Sequence, residues 1–148
     1  MTTKAIINRL ATGVPGLDAV LGGGLPEFSF NLIAGTPGSG KTTLAHQIMF
    51  ALATPERPAI YFSVLGEPPL KMLRYQQQFD FFDSALINRS VHFVSLSEDA
   101  ASGDLDRVLK RIVGDVAALS PGLVLVDSFR SVVFATQSSG NPHNTLQQ

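Results

Sequence analysis

Apolar runs alternate with amphipathic segments along most of this chain. Ala59–Val64 and Leu123–Val126 are almost wholly apolar, which is typical of strands buried on both faces of a parallel sheet. Ser29–Ile33 and Val91–Leu96 contain more polar residues but are also largely apolar, and they predict two further strands. The pattern therefore predicts at least four strands.

Helical patterns separate the strands. Asp104–Leu119 carries apolar residues every three or four positions, at Leu105, Val108, Leu109, Ile112, Val113 and Val116. We predict two more helices, over Lys41–Ala53 and from Pro69 to about Phe79. Strand and helix thus alternate, which predicts an α/β fold with a doubly wound, mostly parallel sheet.

The amino-terminal region predicts one short helix. Thr12 is a possible N-cap for a helix over Pro15–Leu21, and Gly22–Gly24 would end it.

Composition narrows the class of protein. The 148 residues are 45% hydrophobic and 16% charged, so we expect one folded domain over residues 1–148. A net charge of −1 provides no general attraction to nucleic acid, although a local basic patch stays open. The absence of cysteine excludes disulfides and thiolate metal sites. No apolar run approaches the length of a membrane span, and we expect a cytoplasmic protein.

The most informative motif is a complete GxxxxGKT phosphate loop. Glycines let bare backbone N–H groups close around phosphate oxygens, Lys41 supplies a positive charge for the β and γ phosphates, and the Thr42 hydroxyl is suited to Mg²⁺. The predicted strand before the loop and helix after it provide the expected context. The predicted nucleotide-binding residues are Gly35, Thr36, Pro37, Gly38, Ser39, Gly40, Lys41 and Thr42.

Asp127 is the candidate second ligand of the metal. It follows the apolar run Leu123–Val126, as in a Walker B strand, and would lie at the carboxyl edge of the sheet, where ligands of open α/β sheets bind. There it would hold Mg²⁺ beside Thr42. An aspartate at a strand end is also commonly a turn or cap residue, and the phosphate loop favours the metal-binding interpretation.

Glu67 is the candidate catalytic group that orients the attacking water. Hydrolysis needs such a group, and the residue after Asp127 is Ser128 instead of a glutamate. Glu67 follows the predicted strand Ala59–Val64, at the same edge of the sheet. It could equally be an exposed charge that favours the dipole of the helix starting near Pro69.

Taken together, these motifs resemble the KaiC-like ATPases of the RecA/RadA superfamily. The resemblance includes Arg9-Leu-Ala-Thr-Gly-Val-Pro-Gly-Leu-Asp18, Gly22-Gly-Gly-Leu-Pro26, the phosphate loop through Thr43, and Leu123-Val-Leu-Val-Asp-Ser128. It implies a RecA-like core that binds ATP and Mg²⁺, with Thr43 also against the phosphates. It further implies self-association, since ATP in this family sits between subunits of a hexameric ring.

The chain departs from the family in two places. The family usually has paired glutamates after the second strand, the first commonly taken as the catalytic base, where this chain has Gly66-Glu67. The family core also continues through further strands, so we expect a C-terminally truncated product or a fragment of a longer protein.

Three functions follow as hypotheses. The first is a KaiC-like regulatory ATPase in which hydrolysis drives conformational change and partner binding. The second is a RadA-like recombination or repair ATPase acting on DNA, which the acidic balance disfavours. The third is a nucleotide-binding interaction module that does not hydrolyse ATP, which Gly66 favours.

Overall fold

A computed structural model describes residues 6–64, 69–128 and 130, and the side chains of 69 and 70 are not among the described parts. The chain divides into two compact units between Leu52 and Ala53. The elements of the first unit are β1 (Arg9–Leu10), α1 (Leu17–Val20), β2 (Leu25–Pro26) and α2 (Lys41–Leu52). The second unit contains β3 (Ala59–Ser63), α3 (Pro69–Gln76), a 3₁₀ turn (Ser84–Leu86), β4 (Val91–Ser95), α4 (Ser97–Ala101), α5 (Leu105–Leu119) and β5 (Leu123–Asp127).

In the second unit, β3 is the central strand of a parallel sheet. It pairs with β4 on one side and β5 on the other, giving the order β4-β3-β5. The sheet confirms the predicted α/β class with parallel strands, and three of the four predicted strands are present with bounds within one residue of those expected. The described part is consistent with a truncated RecA-like core.

One face of this sheet forms the hydrophobic core. Alternate residues of β3 and the residue that follows it are buried there with residues of α4, α5 and the turn after β4; they are Ile60, Phe62, Val64, Leu96, Ala100 and Val108. Ile112 and Val116 of α5 pack against this cluster one and two turns beyond Val108. The helix predicted over Asp104–Leu119 is therefore present, with Val108, Ile112 and Val116 on its core side and Leu105, Leu109 and Val113 exposed.

Local hydrogen bonds fix both ends of α5. The Asp104 carboxylate accepts from the amides of Asp106 and Arg107 at 2.9 and 3.3 Å, which makes Asp104 the N-cap of the helix. Arg107 Nε donates to Asp99 of α4 at 3.0 Å, so that the two helices are also joined by an ion pair. The last residue of the helix is followed by Ser120 in the left-handed conformation.

In the first unit, β1 and β2 form a two-residue antiparallel ladder, with Leu10 opposite Leu25. The predicted helix over Pro15–Leu21 is shorter than expected, and its N-cap is Gly16, not Thr12. The reason is that Thr12 is bonded to Asp18 through both its amide and its hydroxyl, and this bond closes the turn that precedes the helix. The predicted glycine stop is present, since Gly22, Gly23 and Gly24 all have positive φ angles.

The predicted strand Ser29–Ile33 is wrong in the described structure. The segment has no regular secondary structure, and Phe30 and Leu32 are 88% and 79% exposed. A strand is stabilised by backbone bonds to a neighbouring strand, whereas the bonds of this segment run from the side chains of Ser29 and Asn31 to nearby groups. Apolar content alone was not sufficient evidence for a strand.

Candidate nucleotide-binding site

The phosphate loop is an exposed turn that leads directly into α2. The Ser39 amide donates to the Thr36 carbonyl at 3.2 Å, and α2 begins at Lys41, as predicted. Gly38 and Gly40 have φ angles of +79° and +88°, in a region of backbone conformation that residues other than glycine rarely adopt. Alternation of such conformations turns successive backbone N–H groups toward one side, which is the geometry that binds anions.

Gly35 differs from these two glycines. Its φ angle is not in the left-handed region, but a Cβ atom there would lie 2.5 Å from the Ser39 hydroxyl oxygen. A side chain at position 35 would thus require the exposed Ser39 hydroxyl to rotate away, and the Ser39 Cβ atom would also be close, at 3.3 Å. The first glycine of the motif is therefore favoured by a close side-chain contact, and the last by its backbone conformation.

Lys41 is folded over the loop. Its ammonium donates to the carbonyls of Gly35 and Thr36 at 3.0 and 2.9 Å. An ammonium carries three N–H donors, so the group has capacity for an additional acceptor. These bonds hold its positive charge against the backbone of the loop, at the amino-terminal end of α2, where the helix dipole also favours an anion.

Thr42 and Thr43 lie in the first turn of α2 and are half-buried, while Thr36, Pro37 and Ser39 are exposed. All eight residues of the predicted phosphate loop, together with Thr43, therefore belong to one continuous turn and helix start.

The motif around Thr12 stabilises the turn that precedes α1. The Asp18 carboxylate accepts from the Thr12 amide at 2.8 Å and from its hydroxyl at 2.7 Å. These bonds, first that from the backbone and then that from the hydroxyl, lower the pKa of Asp18 from its usual value of 3.8. The second motif is held similarly, because the Arg9 guanidinium donates to the carbonyls of Leu21 and Gly24. Both motifs that precede the phosphate loop thus have a structural role.

Asp127 ends β5, as predicted, and lies opposite Ser63 at the carboxyl end of β3. Its Oδ2 atom accepts a hydrogen bond of 2.6 Å from the hydroxyl of Tyr61. The Asp127 side chain is half-buried, whereas Tyr61 is only 2% exposed. The carboxylate is therefore connected to the interior of the second unit through a buried phenol.

Tyr61 is the one residue at this edge that the sequence did not identify. It lies in the run Ala59–Val64, where a tyrosine resembles one more core aromatic residue. A usable signal was that a buried tyrosine hydroxyl normally needs a partner, and that parallel strands ending together offer one at Asp127.

Glu67 and Gly66 fall outside the described residues. The role predicted for Glu67 thus stays a prediction. The structure fixes only the end of the preceding strand, where the Val64 amide donates to the Asp127 carbonyl at 3.1 Å.

The side chains predicted to bind the metal carry oxygen atoms of the type that Mg²⁺ prefers. Thr42 offers a hydroxyl oxygen and Asp127 a carboxylate, both of the hard oxygen class that this ion prefers. Because they belong to different units, their assignment to one ion depends on the sequence motifs. Within residues 6–64, 69–128 and 130, no helix is long and apolar enough to cross a membrane.

Comparison with known proteins places these features in one family. A family model described as "ATPase: KaiC" matches residues 10–147. A UPF0273 protein of Thermotoga maritima is 38% identical over 74 residues, which cover 50% of this chain and 30% of that protein. The circadian clock oscillator protein KaiC of Prochlorococcus marinus strain SARG is 31% identical over 134 residues, covering 85% of this chain and 26% of that protein.

The DNA repair protein RadA of Mycobacterium tuberculosis is 35% identical over 121 residues, which cover 82% of this chain and 22% of that protein. The chain therefore spans between about a fifth and a third of the length of these relatives. The phosphate loop, the parallel sheet ending at Asp127 and the match over nearly the whole sequence together show that this chain belongs to the KaiC family of RecA-like P-loop ATPases.

Proposed function

We propose that this chain binds ATP together with Mg²⁺ and hydrolyses it, with hydrolysis coupled to conformational change and partner binding. The observation that supports this best is the phosphate loop, in which Gly38 and Gly40 adopt positive φ angles just before α2 and Lys41 lies over the turn. Membership of the KaiC ATPase family supports the same ligand.

In this proposal the backbone N–H groups of the loop and Lys41 bind the phosphates, with Thr36, Pro37 and Ser39 shaping the turn and Thr43 beside it. The Lys41 ammonium exchanges one or both of its carbonyl acceptors for phosphate oxygens, which are stronger acceptors because they are charged. Thr42 and Asp127 would hold Mg²⁺, which would neutralise part of the negative charge of the phosphates.

Glu67 is the proposed catalytic residue besides Lys41. Its carboxylate would accept a proton from the water that attacks the γ phosphate, or orient that water. Gly66 stands where the family usually carries the first glutamate of its pair, so Glu67 would have to act without that neighbour.

We also propose that the active form is a homo-oligomer in the cytoplasm, with ATP bound between neighbouring subunits. The support is the family membership and the ring implied by the resemblance. Oligomerisation that depends on ATP would be measured by sedimentation or light scattering.

The second candidate is a RadA-like ATPase that works on DNA. The 35% sequence identity to the DNA repair protein RadA, over 82% of this chain, favours it. Its test is binding of labelled single- and double-stranded DNA at several salt concentrations, since contacts to phosphates give a steep salt dependence. The net charge of −1 leads us to expect weak binding.

The decisive experiment on the proposed function separates binding from turnover in the unmodified chain. Calorimetry with ATP, with and without Mg²⁺, measures binding, and single-turnover hydrolysis at high protein concentration measures the chemical step. Binding followed by hydrolysis above background supports the full proposal. Binding without hydrolysis contradicts the enzyme and leaves an ATP-binding module, whereas no binding rejects the nucleotide site.

A further inference from the structure

The register of the sheet brings Tyr61 to Asp127. Ser63 lies opposite Asp127, and Tyr61 is two residues before Ser63 on the same strand, so all three share one face of the sheet. A side chain as long as tyrosine can reach a diagonal neighbour of this kind on the next strand. The resulting hydrogen bond from the phenol to Oδ2 of Asp127 measures 2.6 Å.

Burial and an aromatic contact hold the ring of Tyr61 in place. Tyr61 is 2% exposed, and its ring lies 5.6 Å from that of Phe93, its register partner on β4, at a tilt of 54°. Few rotamers are open to a ring held in this way, and a hydroxyl desolvated by burial requires an acceptor. The bond to Asp127 supplies that acceptor, so Tyr61 and the carboxylate constrain each other.

We propose that Tyr61 is the positioning residue of the metal site, holding the Asp127 carboxylate in the orientation in which it binds Mg²⁺ with ATP. This inference rests on the proposed function for the identity of the ligand. A carboxylate has about four lone-pair sites, so accepting one bond from a phenol leaves capacity for other donors and cations. Groups that fix metal-binding carboxylates in this way typically alter metal affinity when they are removed.

The hydrogen bond can be observed directly, because this chain has no tryptophan and only two tyrosines. Tyr75 is 59% exposed and packs edge-on against Phe79, so Tyr75→Phe keeps a ring there and leaves Tyr61 as the one emitter. A carboxylate that accepts a phenol hydrogen bond quenches tyrosine emission. We expect Tyr61 to emit more strongly in Tyr75→Phe/Asp127→Asn than in Tyr75→Phe, and equal emission would overturn the proposed contact.

The function of the contact is tested with Tyr61→Phe, which removes one oxygen and preserves the ring. We expect the Mg²⁺ concentration that half-saturates the enhancement of ATP binding to rise by about three- to tenfold, on the scale of the net contribution of a typical hydrogen bond. ATP affinity without Mg²⁺ should change less than about twofold, because the phosphate loop is untouched. Tyr75→Phe is the matched control and should leave both values as in the parent.

The outcomes separate this inference from the proposed function. If the parent binds Mg-ATP and Tyr61→Phe has the same Mg²⁺ titration curve, Tyr61 is not a positioning residue and the ATPase proposal stands. If the parent shows no Mg²⁺-dependent ATP binding, the proposed function fails and the positioning role with it, whatever the emission shows. If Tyr61→Phe does not fold, the Mg²⁺ dependence of Tyr61 emission in Tyr75→Phe decides: a change on adding Mg²⁺ to the ATP complex supports the inference, and none contradicts it.

Discussion

The phosphate loop and the carboxyl edge of the sheet carry the two halves of the proposed site, and they are built in opposite ways. The loop is exposed, and the bonds that hold Lys41 over it are local, reaching Thr36 and Gly35, five and six positions away. At the sheet edge, Tyr61 and Asp127 are 66 positions apart and meet through strand pairing and a buried hydroxyl. We infer that the first depends on local backbone conformation and the second on correct packing of the second unit.

Lys41→Ala is the most direct test of the phosphate loop, the part that depends on local backbone conformation. We expect ATP affinity to fall by at least about 100-fold, because the variant loses a charge-assisted contact to the phosphates. Calorimetry measures the affinity, and circular dichroism should show an unchanged fold, since Lys41 bonds only to exposed carbonyls of its own loop in the described structure.

Lys110→Ala is the matched control, as it removes an exposed lysine from α5. ATP binding by Lys41→Ala with the affinity of the parent would show that the loop is not the nucleotide site.

Glu67→Gln tests the predicted water-orienting group beyond β3. We expect turnover to fall by about 100-fold, the usual scale for losing a general base, with ATP affinity nearly unchanged. Single-turnover hydrolysis and calorimetry measure the two quantities, with the exposed Glu56→Gln as control. Unchanged turnover would mean that Glu67 is only a charge near the start of α3.

Asp127→Asn tests the half built by strand pairing. We expect the apparent Mg²⁺ affinity of the ATP complex to fall by about tenfold, while metal-free ATP binding changes little, because the amide keeps one oxygen but loses the charge. Asp106→Asn, on the exposed side of α5, serves as the control. Superimposable Mg²⁺ titration curves for Asp127→Asn and the parent would remove Asp127 from the metal site.

Asp18→Asn probes the structural part of the first unit and has the smallest expected effect. Hydrogen bonds from Thr12 lower the pKa of Asp18 in the folded state, so the carboxylate stabilises the fold fully above its usual pKa of 3.8. That contribution is lost as the pH falls from there through the lowered value.

We therefore expect the Tm of Asp18→Asn to be a few degrees lower at pH 7 and to depend less on pH below about 4 than that of the parent. Thermal unfolding monitored by circular dichroism over pH 3–7 measures both, with the exposed Asp80→Asn as control. Parallel pH curves for parent and variant would contradict the role of the Thr12–Asp18 bonds.

What could be predicted from the sequence follows the same division between local and long-range interactions. The phosphate loop, α2, β3 and β5 were predicted because each depends on a short run of residues, such as Gly35–Thr42 or Leu123–Asp127. The strand expected at Ser29–Ile33 was wrong, since strand formation depends on a partner that the segment does not itself encode. The role of Tyr61 was missed because its acceptor is distant in the chain.

Thr12 shows how a local motif can also mislead. A threonine before a short helix suggests an N-cap, but its hydroxyl donates to Asp18 inside the helix and accepts from the Val14 amide at 3.2 Å. Both patterns use the same residue types, and only the geometry distinguishes them.

The close approach of Gly13 to Ala51 of α2 restricts which residue can occupy position 13. A Cβ atom on Gly13, whose φ angle is +71°, would lie 2.5 Å from the Cβ atom of Ala51. The positive φ angle already disfavours any other residue at position 13, and the contact with Ala51 disfavours it further. Any residue larger than glycine at position 13 would therefore disturb the contact with the last turn of the helix that follows the phosphate loop, and selection would act against it through folding and not through a ligand.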